Sequence, residues 1–196
     1  MKTLIRKFLN EFLLREEFNV FFSGQITETK YKKFILESGS RITRNKDMQN
    51  EIQNHADKLG PILGKFRDKR NNQEKSAFIK IKVGLHFAER VFRSEDKSDN
   101  RFKKVDKFEG VDVIVANADK IVQLLMTQNV IRNGVIKLKS KFRDLNYEIL
   151  CSLEERISGN PPTYKIELFN QIKGTGNVQF GSEPFDHELK VMNPYF

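Results

Sequence analysis

The sequence predicts an α+β fold in which a helical N-terminal part precedes helices packed on a three-to-four-stranded antiparallel sheet. Two observations predict this class. Apolar residues recur at helical spacing near the N-terminus, whereas residues 135–172 contain three segments in which apolar and polar residues alternate. We expect two regions: a basic, helical region over residues 1–77 and an α+β domain over residues 78–196.

The first predicted element is an amphipathic helix over residues 2–17. Its apolar stripe consists of Leu4, Ile5, Phe8, Leu9, Phe12 and Leu13. The stripe predicts docking on the rest of the protein, self-association or docking on a partner, because Glu11, Glu16 and Glu17 do not suit a helix that lies on a membrane. Residues 25–46 are expected to form a loop with one short element, and residues 47–59 a second helix that ends before Gly60 and Pro61.

Residues 78–93 predict a strand, a glycine break and a helix. Ile79, Ile81 and Val83 alternate with lysines, which is typical of a strand with one buried face. The period changes after Gly84, where the backbone can turn. In the helix that follows, His86, Arg90 and Arg93 are spaced i, i+4 and i+7 and therefore lie on one side.

The remaining elements follow in order. Residues 94–107 are almost wholly charged and are expected to form an exposed loop. Residues 111–115 predict a short strand or extended segment, and Asn117 predicts the start of a helix over residues 118–128. Residues 135–139, 145–153 and 163–172 predict an antiparallel meander, and the tail is expected to pack as irregular chain.

Composition excludes several classes of protein. The single Cys151 excludes an intrachain disulfide framework, and three histidines argue against a histidine-rich metal site, so we expect no metal or cofactor. No apolar run approaches the roughly 20 residues that span a bilayer. The N-terminus lacks a small-residue cleavage site and is not expected to be a secretory signal.

The positive charge is concentrated in the first part of the chain. Residues 1–110 contain 25 Lys and Arg against 16 Asp and Glu, whereas residues 111–196 contain 10 of each. This asymmetry favours a polyanionic partner, most often nucleic acid, although an acidic protein partner or a merely solvated basic surface stays open. The residues expected to contact nucleic acid are Arg67, Lys69, Arg70, Lys80, Lys82 and Lys173.

The order of elements after residue 78 resembles the barnase–colicin–RelE-like superfamily of small metal-independent ribonucleases, many of them toxins. The resemblance covers residues 78–173 and rests on His86-Phe87-Ala88-Glu89-Arg90, on Arg93, and on a meander that ends in residues 164–170. It implies that His86 acts as acid or base and that Arg90 and Arg93 hold phosphate. It further implies a second acid or base from the last strand, with Tyr164 and Lys165 as the leading candidates and Asn170 and Lys173 behind them.

The first eleven residues are similar to the start of many small proteins of large tailed bacteriophages, which implies a phage origin. The leading hypothesis is a phage-encoded protein directed at RNA, either an active ribonuclease or a binding module, in the host cytoplasm. The alternative is a virion or assembly protein that docks through its first helix. In that case His86 would only cap its helix, and Glu89 and Arg93 would form an ordinary ion pair.

Overall fold

A computed structural model describes residues 28–93, 101–176 and 184–196, without the side chains of residues 28–38, 92 and 93. The chain divides into two compact units, Met1–Thr43 and Arg44–Phe196. The described part of the first unit is helical, and Thr43 Oγ1 donates a hydrogen bond to the Gly39 carbonyl oxygen at 3.1 Å. The helix predicted over residues 2–17, with its apolar stripe, lies outside the described residues. The boundary predicted between residues 77 and 78 falls inside one strand.

Four helices and six strands make up the described chain. Their order is α1 (Glu28–Leu59), β1 (Ile62–Arg67), β2 (Glu74–Val83), α2 (Leu85–Arg93), α3 (Glu109–Ala116), α4 (Ala118–Thr127), β3 (Val135–Phe142), β4 (Leu145–Ile157), β5 (Thr163–Thr175) and β6 (His187–Lys190).

The strands form one sheet in the order β1-β2-β5-β4-β3-β6. Three neighbouring pairs are antiparallel, but β2 and β5 run parallel, and so do β3 and β6. The α+β class is therefore confirmed, and the predicted three-to-four-stranded antiparallel sheet is corrected to a mixed sheet of six strands. The two additional strands are β1, which lies in the region expected to be basic and helical, and β6, which lies in the tail expected to be irregular.

One face of the sheet packs against the helices and holds the core. On β2, Ala77, Ile79, Ile81 and Val83 are buried, as the alternation predicted, while Lys80 is exposed. The helices add apolar side chains that are all buried: Ile52, Ala56, Phe87, Ala88, Val91, Val111, Val113, Ile114, Ile121, Val122, Leu124 and Leu125. This arrangement leaves the even-numbered residues of β2 on the opposite face of the sheet.

Two helices differ from the prediction. Residues 111–115 belong to helix α3, because Val111, Val113 and Ile114 are buried while Val115 is 39% exposed, so that one side of a helix is covered. A short apolar run of this kind does not distinguish a strand from a helix by itself. Residues 28–46, expected as a loop, continue helix α1, and this segment contains no proline and a single glycine, Gly39.

Side-chain amides of α1 cover one end of β2. The pairing of β1 with β2 ends at Ile62 and Ile79, so β1 does not reach the last residues of β2. Gln53 Nε2 donates to the Ile81 carbonyl oxygen at 3.1 Å, and its Oε1 accepts from the Val83 amide at 2.8 Å. Gln49 Nε2 donates to the Val83 carbonyl oxygen at 2.7 Å. These three hydrogen bonds satisfy backbone groups that would otherwise lack a partner strand.

None of the helices in the described ranges is both long enough and apolar enough to cross a membrane.

We predict that Gly64→Ala destabilises the fold by about 2 kcal/mol, because it forces two elements apart. A Cβ at this position of β1 would lie 2.5 Å from the Ala118 carbonyl oxygen and 2.6 Å from Val122 Cγ2 of helix α4. Urea unfolding followed by circular dichroism measures the change. The control is Lys65→Ala, at the next and exposed position, which should change stability by less than about 0.5 kcal/mol. Equal midpoints for Gly64→Ala and the wild type would contradict the close packing of β1 on α4.

Candidate functional site

Helix α2 begins where strand β2 ends and lies beside the second half of strand β5. The Gly84 amide donates to the Leu168 carbonyl oxygen at 2.7 Å, and a Cβ on Gly84 would lie 2.9 Å from the same oxygen. Gln171 Nε2 of β5 donates to the Phe87 carbonyl oxygen at 3.1 Å. The missing side chain of Gly84 thus lets the helix start against the strand, so polar residues of α2 and β5 can meet.

Two pairs of polar side chains form at this junction. His86 Nδ1 lies 3.1 Å from Glu89 Oε2, and the His86 side chain is 43% exposed. Arg90 Nε donates to Asn170 Oδ1 of β5 at 3.0 Å. The structure therefore brings Arg90 together with one of the last-strand candidates. The side chain of Arg93 lies outside the described residues.

Tyr164 and Lys165 lie at the other end of β5. Six residues separate Tyr164 from Asn170, which corresponds to about 20 Å along a strand. Tyr164 is 2% exposed, and Lys165 Nζ contacts Glu154 Oε2 at 3.2 Å. Of the five predicted catalytic residues, the four whose side chains are described thus fall into two groups. Within that part of the chain, no single site contains both groups.

A network of ion pairs covers the face of the sheet opposite the core. Lys82 Nζ forms a very short hydrogen bond with Glu154 and contacts Glu167 Oε2 at 3.1 Å. The hydrogen bond from Lys82 lowers the pKa of Glu154 to about 2, and the same bond raises the pKa of Lys82. Lys82 and Lys165 are therefore both paired with carboxylates, which reduces what they can offer to a phosphate.

Lys173, predicted to contact nucleic acid, is instead held in a buried ion pair. Its Nζ lies 2.8 and 2.9 Å from the two carboxylate oxygens of Glu109, which is 0% exposed. Asn193 Nδ2 of the tail donates to Glu109 Oε1 at 2.6 Å. Lys173 therefore joins β5 to the start of α3 rather than facing solvent.

Burial and the charge of Glu109 raise the pKa of Tyr147 well above its usual range, and the Tyr147 hydroxyl donates to Gln171 Oε1 at 2.6 Å.

The turn of the β1–β2 hairpin is fixed by Asp68. Asp68 Oδ1 accepts from the Arg70 amide at 3.0 Å, and Asp68 Oδ2 lies 2.6 Å from Lys75 Nζ. The hydrogen bond from Lys75 is the main cause that lowers the pKa of Asp68. Asn72 adopts a left-handed backbone with φ of 57°, which asparagine tolerates. The hairpin thus presents its remaining charged side chains on a well-defined turn.

Four of the six residues predicted to bind nucleic acid lie on this hairpin and are exposed: Arg67, Lys69, Arg70 and Lys80. We call them the hairpin basic surface. None of the four forms an ion pair with a carboxylate in the described ranges. In the register of the two strands, Arg67 lies directly opposite Glu74. Arg67 therefore shares with the half-buried Phe78 and with Lys80 the face of the sheet that points away from the core.

The described residues contain neither a cluster of metal ligands nor a reactive thiol. No three histidine, cysteine, aspartate or glutamate side chains there lie close enough together to hold a metal ion. Cys151 is buried, and burial raises the pKa of its thiol to about 12, so the thiol stays protonated and unreactive. Sequence reasoning missed the buried group Glu109 and Asn193, because neither residue stands in a motif or a periodic segment.

No family model, no characterised protein and no solved structure matches this chain. The resemblance to metal-independent ribonucleases and the phage origin therefore stay predictions.

We predict that Glu154→Gln destabilises the protein by about 1 kcal/mol at neutral pH, after allowance for solvent screening. The pKa of Glu154 is lower in the folded state than its usual 4.5, so its contribution is present above pH 4.5 and disappears as the pH falls to about 2. Urea unfolding at pH 7, 4.5 and 2.5 should show a difference from wild type that shrinks with falling pH.

The matched control for this experiment is Glu155→Gln. Glu155 is the neighbouring exposed acid, and it has no ion pair among the described residues. Its replacement should leave stability nearly unchanged at all three pH values. A Glu154→Gln effect that stays constant down to pH 2.5 would refute the ionic role of this carboxylate.

Proposed function

We propose that this protein binds single-stranded RNA through the hairpin basic surface and the adjoining sheet face, without cleaving it. The observation that carries the proposal is the set of four exposed cations on one hairpin, none of which is paired with a described carboxylate. Unpaired guanidinium and ammonium groups gain free energy from phosphates because binding releases the counterions of the nucleic acid. Paired lysines such as Lys82 would first have to give up a carboxylate.

The surroundings of these cations favour a single strand over a duplex. Phe78 lies on the same sheet face as Lys80, two residues away, and pairs across the hairpin with Leu63, which is 42% exposed. Lys65, with a side chain 55% exposed, lies on this face next to them, although its Nζ is 3.7 Å from Glu74 Oε1. Within the described residues, this part of the sheet face carries a half-buried aromatic ring among cations, and such a surface can stack unpaired bases while it binds their phosphates.

The positions of the predicted catalytic residues favour binding over cleavage. Metal-free cleavage of RNA requires an acid, a base and cations around one phosphate. Here His86 and Arg90 lie about 20 Å along β5 from Tyr164 and Lys165. His86 contacts Glu89 of its own helix, and Arg90 contacts Asn170, so both interact with protein side chains. This separation favours the binding form of the RNA hypothesis.

The virion or assembly alternative depends on the apolar stripe of residues 2–17, which lies outside the described residues. It therefore stays a prediction, as does the location in the host cytoplasm or in a virion.

We predict that the triple change Arg67→Gln, Lys69→Gln and Arg70→Gln lowers the affinity for a labelled single-stranded RNA at least tenfold. Loss of three phosphate contacts should also reduce the slope of log affinity against log salt by about 2. Fluorescence anisotropy over a series of salt concentrations measures both quantities. Double-stranded RNA of the same length should bind more weakly, because its paired bases cannot stack on the sheet face, and single-stranded DNA is the comparison ligand that measures the contribution of the 2′-hydroxyls.

The control variant removes the same charge elsewhere, with Lys103→Gln, Lys141→Gln and Lys190→Gln. These three lysines are exposed ahead of α3, on β3 and on β6, and β3 and β6 lie at the edge of the sheet opposite β1. The control should retain near-wild-type affinity and salt slope. If both triple variants weaken binding equally, binding follows net charge and not the hairpin basic surface, and the proposed site is refuted.

We further predict that purified protein leaves labelled RNA intact in excess EDTA while shifting its mobility on a native gel. His86→Ala should shift the RNA as wild type does, because His86 lies outside the hairpin basic surface. Cleavage that survives EDTA and disappears in both His86→Ala and Arg90→Ala would overturn the binding-only proposal and establish a metal-independent ribonuclease.

A further inference from the structure

A pocket of about 530 Å³ lies between the end of helix α4 and the ends of strands β4 and β5 that meet at residues 157 and 163. The register of β4 with β3 ends where Ser152 pairs with Val135, so the last residues of β4 extend past β3. The loop before β3 forms the opposite wall, and the Asn133 amide of this loop donates to the Leu153 carbonyl oxygen at 2.7 Å. The volume falls in the range of pockets that bind small molecules, about 300–1,000 Å³.

Tyr164 lines this pocket and is 2% exposed. Its hydroxyl forms no hydrogen bond within the described ranges, and it is not a fully enclosed atom, so a molecule in the pocket can reach it. The hydroxyl of Tyr147, which is 1% exposed, instead donates to Gln171 Oε1 at 2.6 Å, as buried tyrosine hydroxyls usually do. The contrast indicates that the Tyr164 hydroxyl is available to donate to an oxygen of a bound molecule.

The charges around Tyr164 favour an anion as that molecule. Arg132 and Arg156 line the pocket, are exposed, and form no ion pair with a described carboxylate. The Arg156 guanidinium carbon lies 5.6 Å from the centre of the Tyr164 ring. The carboxylates of the wall are Glu154, which is shared by Lys82 and Lys165, and Glu155. The lining thus carries three cations, Arg132, Arg156 and Lys165, against these two carboxylates, and its net charge is positive.

The rest of the lining suits a polar heterocycle. Asn129 and Asn133 line the pocket, with left-handed backbones of φ 53° and 63°. Each asparagine amide can donate and accept, which matches the edge of a nucleobase. Met126 and Leu153 add apolar surface that can cover a ring.

We propose that this pocket binds a nucleoside monophosphate. Arg132, Arg156 and the Tyr164 hydroxyl hold the phosphate, and the asparagine amides with Met126 and Leu153 hold the nucleoside. Guanidinium groups bind phosphate oxygens in bidentate fashion, and a phenol adds one charge-assisted hydrogen bond. The ligand is either a free nucleotide or the terminal nucleotide of an RNA chain. The pocket uses none of the four residues of the hairpin basic surface, so this inference stands apart from the proposed RNA binding.

The test is calorimetric titration of the full chain with AMP, adenosine and inorganic phosphate. We expect saturable binding of AMP, at least tenfold weaker binding of each of the other two, and about tenfold weaker AMP binding by both Tyr164→Phe and Arg156→Gln. Tyr164→Phe keeps the buried ring, so its thermal unfolding should match wild type. The control Lys190→Gln removes an exposed charge outside the pocket and should bind AMP normally.

The source of the nucleotide is separated with the hairpin triple variant, which removes the competing RNA surface. In that variant, the affinities of AMP, of an oligonucleotide with a 5′-phosphate and of the same oligonucleotide with a 5′-hydroxyl are compared. If the phosphorylated oligonucleotide binds more tightly than the other two, the ligand is an RNA end. If AMP binds at least as tightly as the phosphorylated oligonucleotide, the ligand is a free nucleotide. Absence of binding by both AMP and the phosphorylated oligonucleotide would overturn the proposal. So would equal affinity for AMP and adenosine, equal affinity for AMP and inorganic phosphate, or unchanged AMP binding in Tyr164→Phe and Arg156→Gln. Failure of RNA binding to the wild type would leave the AMP result unaffected.

Discussion

The buried ion pair between Glu109 and Lys173 is the interaction on which the second compact unit most depends. Glu109 starts helix α3, Lys173 lies near the end of β5, and Asn193 of the tail donates to the same carboxylate. Three segments far apart in sequence therefore meet at one charge. A carboxylate that is 0% exposed is stable only because a cation and several donors surround it, so these segments must be in place together.

The two faces of the sheet differ in chemical character. The face toward the helices holds the apolar core, and Tyr147, Gln171 and the Phe87 carbonyl oxygen form a buried polar chain within it. The opposite face is polar and carries the paired lysines of β2 and β5 as well as exposed cations of the hairpin. Since side chains alternate along a strand, a single strand such as β2 contributes to both faces.

Local features of the fold could be predicted from the sequence, whereas pairing partners could not. The alternation in β2, the break at Gly84 and the three strands of the meander are local patterns, and the structure contains them. Strand β1 was missed because Lys65 and Arg67 placed its segment in the region expected to be basic and helical, although Gly64 is buried against α4. The parallel pairing of β2 with β5 joins residues about 85 positions apart, and no local pattern encodes that contact.

The dependence on strand pairing also explains why the predicted catalytic residues do not lie together. Helical spacing placed His86 and Arg90 on one side of α2, which is a local property. The residue of the 13-residue strand β5 that lies next to Arg90 is set by how β5 aligns with its neighbours. That residue is Asn170 and not Tyr164. The loop asparagines of the pocket carried no periodic signal, although their tolerance of left-handed backbone is a known property of that residue type.

The glutamine amides on the edge of β2 also affect how the molecule can associate. A sheet grows when a strand from another molecule adds its backbone to an open edge. At Ile81 and Val83 that position is occupied by Gln49 and Gln53, which imitate the hydrogen bonding of a strand without offering a further edge of their own. A second copy could therefore extend the sheet at this segment only by displacing helix α1. Ile52, which comes between Gln49 and Gln53 in the sequence of this helix, is fully buried.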